Sequence, residues 1–137
     1  MPRFIDTNIL LYSISRDRTE RQKRNRALEI LEDRDLALSA QVLQEFYWQS
    51  TRITRVNRVP HDVAVALIRG WCRFPVQEIS LGIVNAALEI CGRYRLSYWD
   101  SALVAAAQAL GCDELLSEDL QHGQRFGSLT VTNPFRR

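Results

Sequence analysis

Phe4-Ile5-Asp6-Thr7-Asn8, followed at once by Ile9-Leu10-Leu11-Tyr12, is the stretch on which the fold turns. A short apolar run ends on a carboxylate, a hydroxyl and an amide, and helix-forming residues begin directly after them. Ligands of open α/β sheets sit in the crevice beyond the carboxyl ends of the strands. Asp6 stands where the first such strand would end. The structural alternative is that Asp6 or Asn8 only caps the helix that follows, a role both residue types fill well. The pentapeptide alone favours the capping role, and it is the rest of the chain that changes this reading.

Working outward, Asn8 to Ile14 predicts a short helix. Glu20 to Asp33 predicts a second, with an apolar stripe of Ala27, Leu28, Ile30 and Leu31. Leu36-Ala37-Leu38 reads as a buried strand, with Ser39 as N-cap of a helix that turns Val42, Leu43, Phe46 and Tyr47 inward and carries Glu45 in its first turns. Thr51 to Pro60 is polar and Arg-rich, a loop or helix extension. Pro60-His61-Asp62 starts another helix, with Val63, Leu67 and Trp71 on one face. Val76 to Ile79 predicts a third strand. Ser80 caps a helix from Leu81 to Tyr94, with Leu81, Val84, Leu88 and Cys91 at helical spacing. Ser97, with an acid three residues on, has the form of a capping box and opens an Ala-rich helix that Gly111 ends. Leu115-Leu116 and Leu129-Thr130-Val131 are the remaining strands, the last stopped by Asn133-Pro134. Strands that alternate with helices argue a parallel, doubly wound sheet of about five short strands with helices on both faces.

The 137 residues predict one domain, 1–137, and 46% hydrophobic with 25% charged residues is the make-up of a globular chain. No apolar run reaches the length of a membrane span, and Met1-Pro2-Arg3 leads straight into the first strand with no signal peptide. Cys72, Cys91 and Cys112 are odd in number and far apart, which predicts buried or partly buried thiols of a cytoplasmic protein and no disulfide or zinc framework. Net charge is only +2, yet 17 of the 18 basic residues are Arg, and Lys23 is the single Lys. Arg suits bidentate phosphate contact. Six basic residues fall between Arg16 and Arg26, and Arg52, Arg55 and Arg58 form a second group.

Four carboxylates stand at the same kind of place. Asp6 and Asp119 follow short strands, and Glu45 and Asp100 lie in the first turns of helices on the same edge. Brought together they repel one another, unless a cation joins them or their pKa values rise. Oxygen ligands without paired His or Cys point to Mg²⁺ or Mn²⁺ over zinc. Setting the four acids aside leaves 12 acidic residues against 18 basic ones, a basic surface around an acidic centre. That arrangement suits a nuclease acting on a polyanion. Magnesium held by Asp6, Asp100 and Asp119 would activate a water and polarise a phosphoryl oxygen. Glu45 would hold a second ion through a water or orient the nucleophile. Thr7, Asn8 and Ser117 would donate hydrogen bonds to a carboxylate or to the scissile phosphate.

Phe4-Ile-Asp-Thr-Asn-Ile-Leu-Leu-Tyr12, Gln44-Glu45-Phe46, Tyr98-Trp99-Asp100-Ser101-Ala102 and Leu116-Ser117-Glu118-Asp119-Leu120 resemble, in order, the four acidic motifs of the PIN domain. Chain length and the Asn133-Pro134-Phe135 ending are similar to the bacterial VapC-type toxins. The resemblance implies a three-layer α/β/α sandwich and an endoribonuclease dependent on Mg²⁺ or Mn²⁺ that cleaves structured RNA. It further implies a homodimer inhibited by a cognate antitoxin whose C-terminal segment covers the site. Asp6, Glu45, Asp100 and Asp119 match the family's acidic positions, and Thr7 and Ser117 its hydroxyl positions. Many relatives carry a further acid shortly after the fourth motif, where this chain has Gln121 and His122. His122 reads as a loop residue and His61 as structural.

Two other α/β families fit less well. A haloacid-dehalogenase-like phosphatase needs a second Asp two residues after the first, where Asn8 stands, and a receiver domain needs its Asp on a mid-chain strand. The remaining alternative is a catalytically inactive PIN scaffold that binds RNA or a partner protein. The Arg-rich segments are expected to guide RNA to the site.

Overall fold

Phe4 and Ile5 have no exposed surface because β1 (Arg3–Ile5) runs through the middle of the sheet. It pairs in parallel with β2 (Leu36–Ser39) on one side and with β4 (Glu114–Leu116) on the other. Strands covered on both faces read as unbroken apolar runs, as Leu36-Ala37-Leu38 and Leu115-Leu116 do. The computed structural model describes residues 2–136. The other elements are α1 (Thr7–Ser13), a 3₁₀ turn at Arg18–Glu20, α2 (Arg21–Leu31), α3 (Ala40–Thr51), α4 (His61–Trp71), β3 (Val76–Gln77), α5 (Leu81–Tyr94), α6 (Tyr98–Ala109), β5 (Arg125–Phe126) and β6 (Leu129–Thr132).

The sheet has the order β3-β2-β1-β4-β6-β5, parallel except for β5. Parallel crossovers are right-handed. The chain moves one way from β1 to β3 and the other way back to β4, which places α1 to α4 on one face and α5 and α6 on the other. The result is the expected three-layer α/β/α sandwich. The order reverses between β1 and β4, so the crevice at their carboxyl ends is the topological switch point.

The expected caps are present. Ser39, Ser80 and Ser97 accept from the backbone N–H three residues on, at 3.3, 3.2 and 3.1 Å. Gly111 takes φ +72° just past α6, where the Gly111 and Cys112 N–H groups bond back to Gln108 and Ala107. That is a Schellman ending, which needs a left-handed residue. Ser101 to Ala107 are all buried, so the middle of α6 is enclosed all round, and its small side chains allow close packing on α5 and the sheet.

Several expectations are corrected. The third strand is only Val76–Gln77, and a sixth strand, β5, forms an antiparallel edge hairpin with β6. Gly127, at φ +64°, takes the first position of its two-residue turn, where II′ turns take glycine. On α5 the stripe points outward: Leu81 and Leu88 are exposed, while Ala87 and Ile90 are buried. On α4 Ala64 and Trp71 are buried and Val63 is exposed; Trp71 packs edge-on to Phe46 at 4.7 Å. Leu28 of α2 is exposed as well. Cys112 is buried and its thiol pushed up to about 11 by burial, but Cys72 is exposed. Among the described residues no helix is long and apolar enough to cross a membrane.

Candidate active site

Asp6 is both the N-cap of α1 and a buried carboxylate at the switch point. Its Oδ1 accepts from the Thr7 N–H at 2.6 Å. Its Oδ2 accepts from Ser117 Oγ at 2.7 Å and from Asn8 Nδ2 at 3.3 Å. Burial pushes the Asp6 carboxyl up to about 7, the Ser117 and Thr7 hydrogen bonds pull back, and the charges of Asp119 and Glu45 push further up. Capping and site-building are therefore the same geometry here.

The other three acids reach the crevice from three different elements. Glu45, on α3, accepts from Thr7 Oγ1 at 2.9 Å and from Gln41 Nε2 at 3.0 Å. Asp119, in the loop after β4, accepts from Asn8 Nδ2 at 3.2 Å, and its N–H donates to Ser117 Oγ at 3.1 Å. Asp100, in the first turn of α6, has its pKa raised, chiefly by burial, against the pull of Ser97; Asp119 and Glu45 add to the rise. Asp6 and Asp100 thus sense the same two neighbours, Asp119 and Glu45. Glu45 and Asp100 share an open groove of about 750 Å³ that Gln41, Gln44, Trp48 and Trp99 also line.

The donors expected to meet a carboxylate or a phosphate are directed at carboxylates: Thr7 at Glu45, Ser117 at Asp6, Asn8 at Asp6 and Asp119. Among the described residues no Lys, Arg or His forms an ion pair with any of the four acids; the cations pair elsewhere, as in Arg3–Asp33 at 2.7 Å. Nor are three carboxylate, His or Cys side chains already gathered as a metal cage among the described residues. The donor set is all oxygen and crowded with like charge. It fits a hard divalent cation held by carboxylate oxygens, with waters and substrate oxygens completing the shell. Asn8 Oδ1, buried and without a donor among the described residues, adds an unpaired acceptor beside Asp6 and Asp119.

Three features were not anticipated from the sequence. Gln41 bridges Glu45 to the Trp99 carbonyl, at 3.0 and 3.3 Å, and ties α3 to the start of α6. The signal was present in its spacing four residues before Glu45. Glu118 is the second. It accepts from Tyr12 OH and, at 3.0 Å, from Lys23 Nζ, which fastens the Asp119 loop to α1 and α2. Lys23 is thereby committed within the chain, and Arg26 to Glu29, so neither belongs to a free basic patch. The third is the exposure of Trp48 and Trp99, at 60% and 64%. His122 accepts from the Asn133 N–H at 3.0 Å, and His61 bonds Tyr47 OH at 2.9 Å; neither bond involves one of the four acids.

No curated protein matches the chain in sequence. Several solved structures match it in fold. A toxin–antitoxin complex from Klebsiella pneumoniae superposes with a TM-score of 0.71 at 19% identity, covering 96% of this chain and 97% of that one. The sarcin–ricin-loop-cleaving toxin VapC20 of Mycobacterium tuberculosis gives 0.67 at 19% identity, over 85% and 91%. FitAcB from Neisseria gonorrhoeae gives 0.70 at 14% identity, over 98% and 99%. The sequence profile of the PIN domain matches residues 3–124, a span that holds all four acids and the strands and helices that position them. By that match, and with the sheet and switch-point crevice described above, this chain belongs to the PIN domain family.

Proposed function

We propose that the chain is an endoribonuclease dependent on Mg²⁺ or Mn²⁺, the VapC-type toxin of a toxin–antitoxin pair. The observation that carries this reading is the buried Asp6 carboxylate, set beside Asp119 and Glu45, with none of the described Lys, Arg or His residues in an ion pair with the group. Such a cluster is costly unless a divalent ion completes it.

Asp6, Asp100 and Asp119 would hold the ion, and Glu45 would hold a second one or orient the attacking water. A bound Mg²⁺ or Mn²⁺ supplies charge neutralisation for the scissile phosphate and lowers the pKa of a water. The remaining work belongs to the chain's own side chains. Ser117 and the Thr7 N–H fix the Asp6 oxygens and favour their ionised form, while Thr7 Oγ1 and Gln41 hold Glu45 at its two oxygens. Asn8 ties Asp119 to Asp6. Fixed carboxylates cost little reorganisation when charge develops on the phosphate.

The partner reading rests on similarity and on surface chemistry. A toxin–antitoxin complex is among the structures with this fold, and we place a cognate antitoxin over the same crevice. The outward stripe of Leu81, Val84 and Leu88 on α5 is where we place a second copy of the chain. The test is direct: wild-type protein and a folded RNA are incubated with Mg²⁺ and with a chelator. Defined fragments with Mg²⁺ alone are expected. Uncut RNA under both conditions would leave only a binding scaffold.

A further inference from the structure

Gln41, Glu45, Trp48 and Arg52 recur four, three and four residues apart, so they form one row along α3 and its C-cap. The two outer pairs of the row interact: Gln41 donates to Glu45, and the Arg52 guanidinium lies 5.2 Å over the Trp48 ring. Trp99 faces the same groove from the start of α6. Two tryptophans left more than half exposed beside a catalytic-type cluster are costly to leave in water.

The far end of the row opens into a second cleft of about 680 Å³, lined by Arg16, Arg18, Arg52 and Arg55 against two acids, Asp17 and Glu20, so that basic groups outnumber acidic ones. Here the two Arg groups of the sequence meet, one from the α1–α2 connection and one from the α3–α4 loop. Among the described residues none of these four Arg side chains is in an ion pair. Seven residues of helix separate Glu45 from Arg52, about 10 Å at 1.5 Å per residue. Aromatic faces followed by guanidinium groups outside any ion pair are the combination that holds single strands: bases stack on the rings and phosphates meet the cations. A duplex hides its base faces and offers nothing to Trp48 or Trp99.

We infer that RNA lies along α3 as an unpaired strand, with bases on Trp48 and Trp99 and the neighbouring phosphates in the Arg16–Arg18–Arg52–Arg55 cleft. This deepens the nuclease reading and rests on it for the substrate class; an unpaired loop of a folded RNA satisfies both.

The test measures binding in chelator, so that turnover plays no part. The probes are a short mixed-sequence single-stranded RNA, the same strand without bases, and its duplex. The intact strand should bind about tenfold or more tighter than either comparison. Trp48→Ala should remove about tenfold of that advantage, leaving the abasic strand unaffected, with Trp48→Phe restoring part. Arg52→Glu with Arg55→Glu should weaken all three probes and flatten the salt dependence. Equal affinity for intact and abasic strands, or an unchanged Trp48→Ala variant, overturns the inference. So does sedimentation of Trp48→Ala as a smaller species than the wild type, which would give this face to a second copy. If RNA is cut with Mg²⁺ and the abasic strand still binds equally, only this inference fails. If the binding results hold and no RNA is ever cut, only the nuclease reading fails.

Discussion

Ser117 Oγ donates a 2.7 Å hydrogen bond to Asp6 Oδ2 across 111 positions of sequence, joining the end of β4 to the end of β1 at the point where the sheet order reverses. Both residues are buried, and that bond is one of the two strongest influences holding the Asp6 pKa down against desolvation. Ser117→Ala removes it without adding bulk. The Asp6 pKa should rise further above about 7, and the acid limb of the cleavage-rate profile should move to higher pH. The buried carboxylate loses a donor, so stability should fall by about 1–3 kcal/mol. A pH–rate profile of wild type and variant checks the shift; superimposable acid limbs would deny the coupling.

Asp6→Asn tests the same carboxyl through stability. The folded pKa is about 7 and the ordinary value 3.8, so the folded chain binds more protons than the unfolded one between those limits. The stability this provides is fully present below about pH 4 and is lost as pH rises through 7. At 1.36 kcal/mol per unit the loss is roughly 4 kcal/mol. Asp6→Asn does not titrate, so metal-free variant protein should gain on the wild type from pH 4 to 7 and hold that advantage above. Added Mg²⁺ should narrow the gap by stabilising the wild type alone. Denaturant unfolding in chelator at a series of pH values measures this, and parallel curves would contradict it.

Thr7→Val keeps the N–H that binds Asp6 and deletes the hydroxyl that holds Glu45. Cleavage kcat should drop about tenfold to a hundredfold, with RNA affinity nearly unchanged, if Glu45 acts on the reacting water. A fall in affinity with kcat intact would move Glu45 to a binding role.

Gly111→Ala addresses the fold without touching the site. An added Cβ would meet nothing within 4 Å, so the cost comes from the left-handed backbone at φ +72°. A loss of about 1 kcal/mol is expected, with cleavage per folded molecule unaltered.

These outcomes rest on features of unequal legibility in the sequence. The strand-then-acid pattern at Asp6, the Ser39, Ser80 and Ser97 caps and the Gly111 stop could be read directly, because each is a local rule acting over a few residues. The outward turn of Leu81 and Leu88 could not. Periodicity marks an apolar stripe but does not say which neighbour covers it, and Ala87 buries a face with almost no hydrophobic signal. The β5–β6 hairpin was marked only by Phe126-Gly127-Ser128-Leu129, a turn signal with strands too short to show alternation. That the four acids stand along one edge of the sheet was inferable from their places after strands and near helix starts. The Thr7–Glu45 and Ser117–Asp6 bonds join residues 38 and 111 positions apart, and no local pattern encodes them.

Most direct of all is the cleavage rate of one folded RNA across a Mn²⁺ titration, for wild type and for Asp6→Asn, Asp100→Asn and Asp119→Asn. If the four acids form one metal-dependent nuclease site, each variant should lose about a hundredfold or more in rate, and the wild type should show no turnover without the ion. Variants that cut as fast as the wild type, or wild-type cleavage that persists in chelator, would contradict the account.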